Sequence, residues 1–234
     1  LINVLRAAGC RVHVAHADQE RPLCCGRTFL AAGLLDEAKA EARRLLKVLT
    51  PYFERDIPLI GLEPSCLLTL RDEYAALLPD EIIDSMTDHA LLLEEFLVRN
   101  LNRLHLDLRP MAIKHAALHG HCHQKAFATD HDVETVLNWI PELTVNPIAS
   151  SCCGMAGDFG QWAKNYDVSM AMGELSLLPA VRVLDPNTVV VGGGTSCRQQ
   201  IHDGTGRDAV HFVQLLYQSM AHSAATRTSE SGHS

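Results

Sequence analysis

The sequence contains no apolar run long enough to cross a membrane. Its longest hydrophobic stretches, such as ALLLEEFLV, are short and interrupted by charged residues, whereas a spanning helix needs about 20 apolar residues. It also has no basic segment, and Asp and Glu outnumber Lys and Arg by 28 to 20, which gives a net charge of -8. A nucleic-acid partner is therefore not expected.

An export signal is also missing, because no basic region followed by an apolar region stands near the beginning. A reducing compartment, the cytoplasm, is then expected, where clustered cysteines more often bind metals or carry out redox chemistry than form disulfides. The chain has eight cysteines in 234 residues, and 47% of its residues are hydrophobic, enough for a sizeable core.

Strand-like and helix-like segments alternate along the chain. The strand-like segments are residues 11–16, 57–66, 112–123, 143–150 and 187–197. The helix-like segments are residues 1–9, 29–53, 88–101, 167–184 and 209–220. This alternation predicts an α/β fold in which helices flank small parallel sheets.

The tripeptide Cys-Cys-Gly occurs twice and indicates an internal repeat. In each copy a helical stretch follows the cysteine pair, and an apolar strand then ends in Ser-Cys. Forty residues lie between Cys25 and Cys66, and 43 lie between Cys153 and Cys197. The matching spacing predicts two pseudo-repeated halves, each a small parallel sheet flanked by helices.

The predicted halves are residues 1–109 and residues 110–221. Residues 222–234 are polar and aperiodic, so we expect a disordered tail. Because the chain opens on Leu1 directly in a helical pattern, we expect it to be a piece of a longer polypeptide.

The second half carries four cysteines that we expect to converge. They lie at the predicted strand ends or in the loops that leave them, and such loops meet in one crevice of a parallel sheet. Soft thiolates bind iron–sulfur clusters, zinc or copper(I), and four thiolates match the ligand count of a cubane cluster. The predicted metal ligands are Cys122, Cys152, Cys153 and Cys197.

Glycines and histidines support this site. Gly154 permits the turn that a cysteine pair needs to face one centre, and a following helix would lower the thiol pKa. His119, His121 and His123 flank Cys122, so a zinc site of the Cys3His type is also open to this sequence. Of these, His123 is the predicted auxiliary residue, as a hydrogen-bond donor to a cluster sulfur or as a proton carrier.

The segments CHQKA, SCCGMAGDFG and GTSCRQQI resemble the cysteine-rich CCG domain of the heterodisulfide reductase B-subunit and glycolate oxidase iron–sulfur subunit type. The chain is most similar to the C-terminal iron–sulfur region of FAD-linked oxidases of the D-lactate and D-2-hydroxyglutarate dehydrogenase kind. This resemblance extends from residue 1 to about residue 220. It implies two pseudo-equivalent α/β halves and binding of a [4Fe-4S] cluster.

The resemblance further implies an oxidoreductase component that passes electrons from FAD to a quinone, a ferredoxin or a similar acceptor. Oxidation of a 2-hydroxy acid such as glycolate, D-lactate or D-2-hydroxyglutarate would take place on a flavin dehydrogenase domain or subunit outside this chain. We then expect a cytoplasmic location or a peripheral one at the inner membrane. The alternative is a zinc-stapled or thiol-redox domain that acts as a docking scaffold or a disulfide reductase.

In the best-known relatives each half holds a non-cubane cluster on five cysteines, and this chain departs from that pattern. Three residues before Cys197 stands Gly194, so the fifth thiolate is missing and a cubane cluster or zinc fits better. The first half has Glu63 at the matching position and lacks the early cysteine, so we interpret it as degenerate or substrate-facing. A second site, if it exists, would use Cys24, Cys25 and Cys66.

Overall fold

The structure of the protein is a computed structural model that describes residues 1–16, 21–79 and 88–220. Its architecture is α/β with two small parallel sheets and helices around them, which confirms the predicted fold class. The expected tail at residues 222–234 lies outside the described residues. None of the described helices is both long and apolar enough to cross a bilayer.

The first sheet is a parallel pair of strands with Leu59 opposite Ala90. In chain order the elements of this part are α1 (Ile2–Ala7), α2 (Arg27–Ala31), α3 (Leu35–Phe53), β1 (Leu59–Gly61), α4 (Pro64–Arg71), α5 (Glu73–Leu77), β2 (Ala90–Leu92) and α6 (Leu93–Arg99). The predicted helix over residues 29–53 is broken at Gly33, whose φ of +77° is a left-handed conformation that ends α2.

The second sheet has four parallel strands in the order β4-β3-β5-β6. The elements of this part are β3 (His115–His119), α7 (Cys122–Ala126), α8 (His131–Leu137), β4 (Thr144–Pro147), α9 (Tyr166–Glu174), α10 (Leu177–Arg182), β5 (Val189–Gly192), α11 (Thr195–Thr205), β6 (Ala209–Val210) and α12 (Phe212–Ser219). Two short 3-10 turns, Phe159–Gln161 and Ala163–Asn165, precede α9.

Two segments differ from their predicted conformation. Residues 11–16 form no strand, because a strand needs a hydrogen-bonding neighbour and β1 pairs only with β2 among the described strands. A cavity of about 520 Å³, lined in part by Val12 and Ile60, lies beside this segment. The predicted helix at residues 88–101 begins with β2, because a short buried apolar run is compatible with either conformation.

The repeat predicted from the Cys-Cys-Gly tripeptides is visible in the order of the elements. In the first part β1, α4, β2 and α6 occur in the same order as β5, α11, β6 and α12 in the second, with α5 as an additional helix between α4 and β2. Cys66 is the third residue of α4 and Cys197 is the third residue of α11. Helix α1 also packs on α12 while α6 packs on α8, so the contacts between the two parts repeat as well.

The largest apolar core joins elements of both sheets. Leu5 of α1 and Leu97 of α6 are buried in the same cluster as Leu118 of β3, Val191 of β5 and Leu216 of α12. Burial of a side chain of this size stabilises the fold by about 1.5–3 kcal/mol. The strands β3 and β5, which precede Cys122 and Cys197, therefore pack on a core that both parts share.

Candidate metal centre

The four predicted ligand cysteines lie at one edge of the four-stranded sheet. Cys122 opens α7 after β3, Cys152 and Cys153 follow β4, and Cys197 lies in the first turn of α11 after β5. Because β4, β3 and β5 are adjacent and parallel, their carboxyl ends bring these residues together. The structure thus places the four predicted cysteines at one sheet edge, and the ligand atoms of Cys153 and Cys197 lie within 4.8 Å of each other and of His119, a group that does not include Cys122 and Cys152.

The four thiols are neighbours in a continuous series. Cys122 influences the pKa of Cys152, Cys152 that of Cys153, and Cys153 that of Cys197. Cys153 and Cys197 are buried, whereas Cys122 is exposed. One side of this thiol cluster is thus enclosed by protein and the other faces solvent.

The neighbouring thiols shift one another's pKa values. The Cys122 thiol, followed by that of Cys153, lowers the pKa of Cys152. The Cys153 thiol lowers the pKa of Cys197 well below its usual range. The contact with Cys152 raises the pKa of Cys122 and of Cys153. The series therefore favours thiolate at some of its sulfurs, and the thiolate is the form of cysteine that binds metals.

The turn after each cysteine pair stabilises the first of its two sulfurs. The Gly154 N–H donates to Cys152 Sγ at 3.3 Å, and the Gly26 N–H donates to Cys24 Sγ at 3.4 Å. Both glycines have positive φ, +97° and +77°. The helix expected directly after Cys153 is absent, because α9 begins only at Tyr166, so this turn supplies the N–H group instead.

His121 occupies the space where the missing fifth cysteine would stand. A Cβ atom built on Gly194 would lie 2.6 Å from His121 Cδ2 and 3.3 Å from Cys197 Sγ. The His121 ring caps α7 by accepting from the His123 N–H at Nδ1, and its Nε2 lies 3.2 Å from Ser65 Oγ. Both ring nitrogens are therefore engaged by protein groups.

The other two histidines separate. His119, at the end of β3, is 1% exposed, and one of its ring nitrogens lies within 4.8 Å of both Cys153 Sγ and Cys197 Sγ. His123 instead groups with Asp72 and Glu73, and its Nε2 is 3.7 Å from Asp72 Oδ2. The sequence favoured His123 as the auxiliary residue because it directly follows the predicted ligand Cys122. His119 lies three residues before Cys122 in a predicted strand, and this position was a weaker indication of a role at the site.

The cysteines of the first part form a smaller group. The neighbouring Cys66 thiol lowers the pKa of Cys25 to about 6, and the same contact raises the pKa of Cys66. Cys24 is exposed. Glu63 Oε2 accepts from the Thr195 N–H at 2.8 Å, so this carboxylate caps α11 across the two parts.

Comparison with known proteins supports the predicted resemblance. The chain is 31% identical over 228 residues to the C-subunit of the anaerobic glycerol-3-phosphate dehydrogenase of Escherichia coli, and the match covers 94% of this chain and 54% of that relative. It is 27% identical over 195 residues to the D-2-hydroxyglutarate dehydrogenase of Escherichia coli, covering 82% and 18%. It is 26% identical over 166 residues to lactate utilization protein A of Bacillus velezensis, covering 68% and 65%.

These matches confirm the predicted likeness to D-2-hydroxyglutarate dehydrogenases, and the likeness to part of a glycerol-3-phosphate dehydrogenase is additional. The chain spans about half the length of the glycerol-3-phosphate dehydrogenase relative and less than a fifth of the D-2-hydroxyglutarate dehydrogenase. No protein-family model matches the chain. No solved structure matches it either.

Proposed function

We infer that this chain, a relative of the anaerobic glycerol-3-phosphate dehydrogenase C-subunit and of D-2-hydroxyglutarate dehydrogenase, is the electron-transfer part of a flavin-linked dehydrogenase. The observation that carries this inference is the placement of four cysteines, Cys122, Cys152, Cys153 and Cys197, at one edge of the four-stranded sheet. The substrate would be a 2-hydroxy acid or glycerol 3-phosphate, oxidised on a flavin domain or subunit outside this chain.

The donor set fits an iron–sulfur cluster. Four thiols meet the ligand count of a [4Fe-4S] cluster, and such a cluster, when bound, exchanges one electron at a time. The buried sulfurs of Cys153 and Cys197 would hold the enclosed side, while Cys122 would hold the side nearest to solvent. Transfer to and from partners is then expected at the Cys122 side, where the least protein intervenes.

The surrounding residues position the ligands. Arg198 donates to the carbonyl oxygens of Gly192 and Gly193 at 2.9 and 2.7 Å, which fixes the glycine loop before Cys197. Lys125 donates to the Ser150 carbonyl at 2.5 Å and so fixes the loop before Cys152. Such supporting contacts keep ligand atoms in place and tune a metal site.

We also propose the division into residues 1–109 and 110–221, a location at the cytoplasmic side, and a quinone or ferredoxin as electron acceptor. The matching order of elements in the two parts supports this division. The similarity to dehydrogenase proteins supports a flavin-bearing partner.

A structural zinc site is the second candidate. The close approach of His119 to Cys153 and Cys197 favours it, because structural zinc sites are often of the Cys3His type. In that case zinc would stabilise the fold, and the chain would be a docking scaffold with no redox function.

Anaerobic purification followed by dithionite reduction and EPR spectroscopy decides between the two candidates. The electron-transfer function predicts iron, labile sulfide and an EPR signal that appears on reduction and disappears on reoxidation. The variant Cys10→Ser is the matched control, because Cys10 lies at the apolar cavity and not at the sheet edge. Zinc without sulfide would establish the scaffold, and a chain that binds no metal would contradict both candidates.

A further inference from the structure

The end of β3 carries a buried nitrogen that no described residue satisfies. His119 is 1% exposed, yet its Nε2 has no hydrogen-bond partner in the described part of the chain. An unsatisfied buried polar atom costs about 1–3 kcal/mol. A group of this kind next to two cysteine sulfurs requires an explanation beyond packing.

The other nitrogen of the ring has a partner within the protein. His119 Nδ1 lies 2.8 Å from Ser150 Oγ, and Ser150 Oγ is also 3.4 Å from the Ile148 carbonyl oxygen. Ser150 therefore holds the ring by Nδ1 and leaves Nε2 as the atom that has no partner among the described residues. A ring with one nitrogen held by the protein and the other one available is the arrangement that metal-binding histidines adopt.

The available nitrogen belongs to the same group as two of the proposed ligands. The ligand atoms of His119, Cys153 and Cys197 all lie within 4.8 Å of one another, and all three residues are buried. Three donor atoms at such separations can bind a single metal ion. His121 has no comparable freedom, because protein groups contact both of its nitrogens.

We propose that His119 is a ligand of the metal centre and binds through Nε2 beside Cys153 and Cys197. Proteins of the resembled family have a fifth thiolate at the position of Gly194, where this chain has no room for a side chain. His119 would supply a protein donor in place of that thiolate. The assignment rests on the metal centre of the proposed function and adds a neutral ligand to its thiolates. Ligand identity and net charge set the potential of an iron–sulfur centre, so removal of this imidazole should shift that potential.

Pulsed EPR of the dithionite-reduced protein tests this ligand directly. The wild-type chain is prepared with natural-abundance and with 15N-labelled histidine, next to His119→Asn and His121→Asn. The asparagine at 119 can keep a hydrogen bond to Ser150 but removes the atom that would bind metal. The variant His121→Asn is the matched control, since asparagine can cap α7 in the same way.

We expect an imidazole coupling in the wild type that changes with the 15N label. It should be lost in His119→Asn together with a shift of the midpoint potential, and both should be retained in His121→Asn. If His119→Asn does not fold, His119→Gln and the label in the wild type still report on the ligand. If the chain binds zinc, X-ray absorption at the zinc edge should show one nitrogen ligand in the wild type and none in His119→Asn.

The outcomes separate this assignment from the proposed function. A wild-type iron–sulfur signal without any coupling that depends on His119 overturns the ligand and leaves the electron-transfer function intact. Zinc bound with a nitrogen from His119 supports the ligand and overturns electron transfer. A chain that binds neither metal overturns both.

Discussion

At the scale of single residues, Gly154 shows how closely the backbone surrounds the cysteine pair. Its φ is +97°, and a Cβ atom would lie 2.0 Å from the Ser169 carbonyl oxygen. The change Gly154→Ala therefore adds a backbone clash to the strain of a left-handed alanine. We expect the free energy of unfolding to fall by about 3–5 kcal/mol, measured by urea denaturation.

The control is Gly206→Ala. Gly206 has a φ of +71° but nothing within 4 Å of the added Cβ, so only the left-handed strain remains, about 1–2 kcal/mol. Equal losses at the two positions would mean that the turn at Gly154 is not packed against α9 as described.

Glu94 predicts a pH dependence of stability. This side chain is buried, and burial raises its pKa to about 8. Because the folded state binds the proton more tightly than the unfolded state, the free energy of unfolding decreases as the pH rises from about 4.5 to about 8. At about 1.4 kcal/mol per pKa unit, the loss is at most roughly 5 kcal/mol.

The variant Glu94→Gln should abolish this dependence, since the amide can still accept from Gln124 and carries no charge. Urea denaturation should show it more stable than the wild type at pH 8 and about equal at pH 4.5. The exposed Glu37→Gln is the control. Parallel curves for wild type and Glu94→Gln would contradict a raised pKa.

Residue types and spacing were sufficient to predict that the four cysteines lie at one sheet edge, because each of the four follows a strand. They were not sufficient to rank the histidines. His119 ends a strand and lies against Cys153 and Cys197, whereas His123 lies within α7 and groups with Asp72. That choice depends on side-chain directions, which only the assembled elements fix.

At the scale of elements, one ion pair joins α4 to the start of α6. Glu95 accepts two hydrogen bonds from Arg71, both at 2.8 Å, and also caps α6 through the Leu92 N–H. Its side chain is 1% exposed. The substitution Glu95→Gln would leave Arg71 without its charge partner, so we expect the free energy of unfolding to fall by about 3 kcal/mol.

The matched control for this pair is Glu174→Gln. Glu174 also receives two hydrogen bonds from an arginine, Arg182, but both side chains are 42% exposed. Exposed pairs contribute little because solvent screens them. Urea denaturation should therefore show a large loss for Glu95→Gln and almost none for Glu174→Gln; comparable losses would contradict the role of burial.

Helix and strand types were predictable where the apolar pattern was long or strictly alternating, as in α3 and β4. Prediction failed where conformation depends on a partner. Residues 11–16 have the alternation of a strand but no neighbouring strand among the described residues, and β2 begins a segment that alone resembles a helix.

At the scale of the whole molecule, two parts of similar element order share one apolar core. The parallel sheets followed from the alternation of strands and helices. The shared core could not be predicted, because the apolar faces of α1 and α6 do not reveal that they pack against α12 and α8. The first part has cysteines at matching places in its elements, Cys24 and Cys25 before Gly26 and Cys66 in the first turn of α4, but its Cys66 is exposed whereas Cys197 is buried.

The most direct test of the account is the iron and labile sulfide content of anaerobically isolated chains, compared between the wild type, Cys197→Ser and Cys10→Ser. Cys197 is buried within the thiol series, whereas Cys10 lies outside it. We predict about four iron and four sulfide ions per chain in the wild type and in Cys10→Ser, and a loss of most of both in Cys197→Ser. Equal iron and sulfide in all three proteins, or none in any of them, would contradict a cluster held by these cysteines.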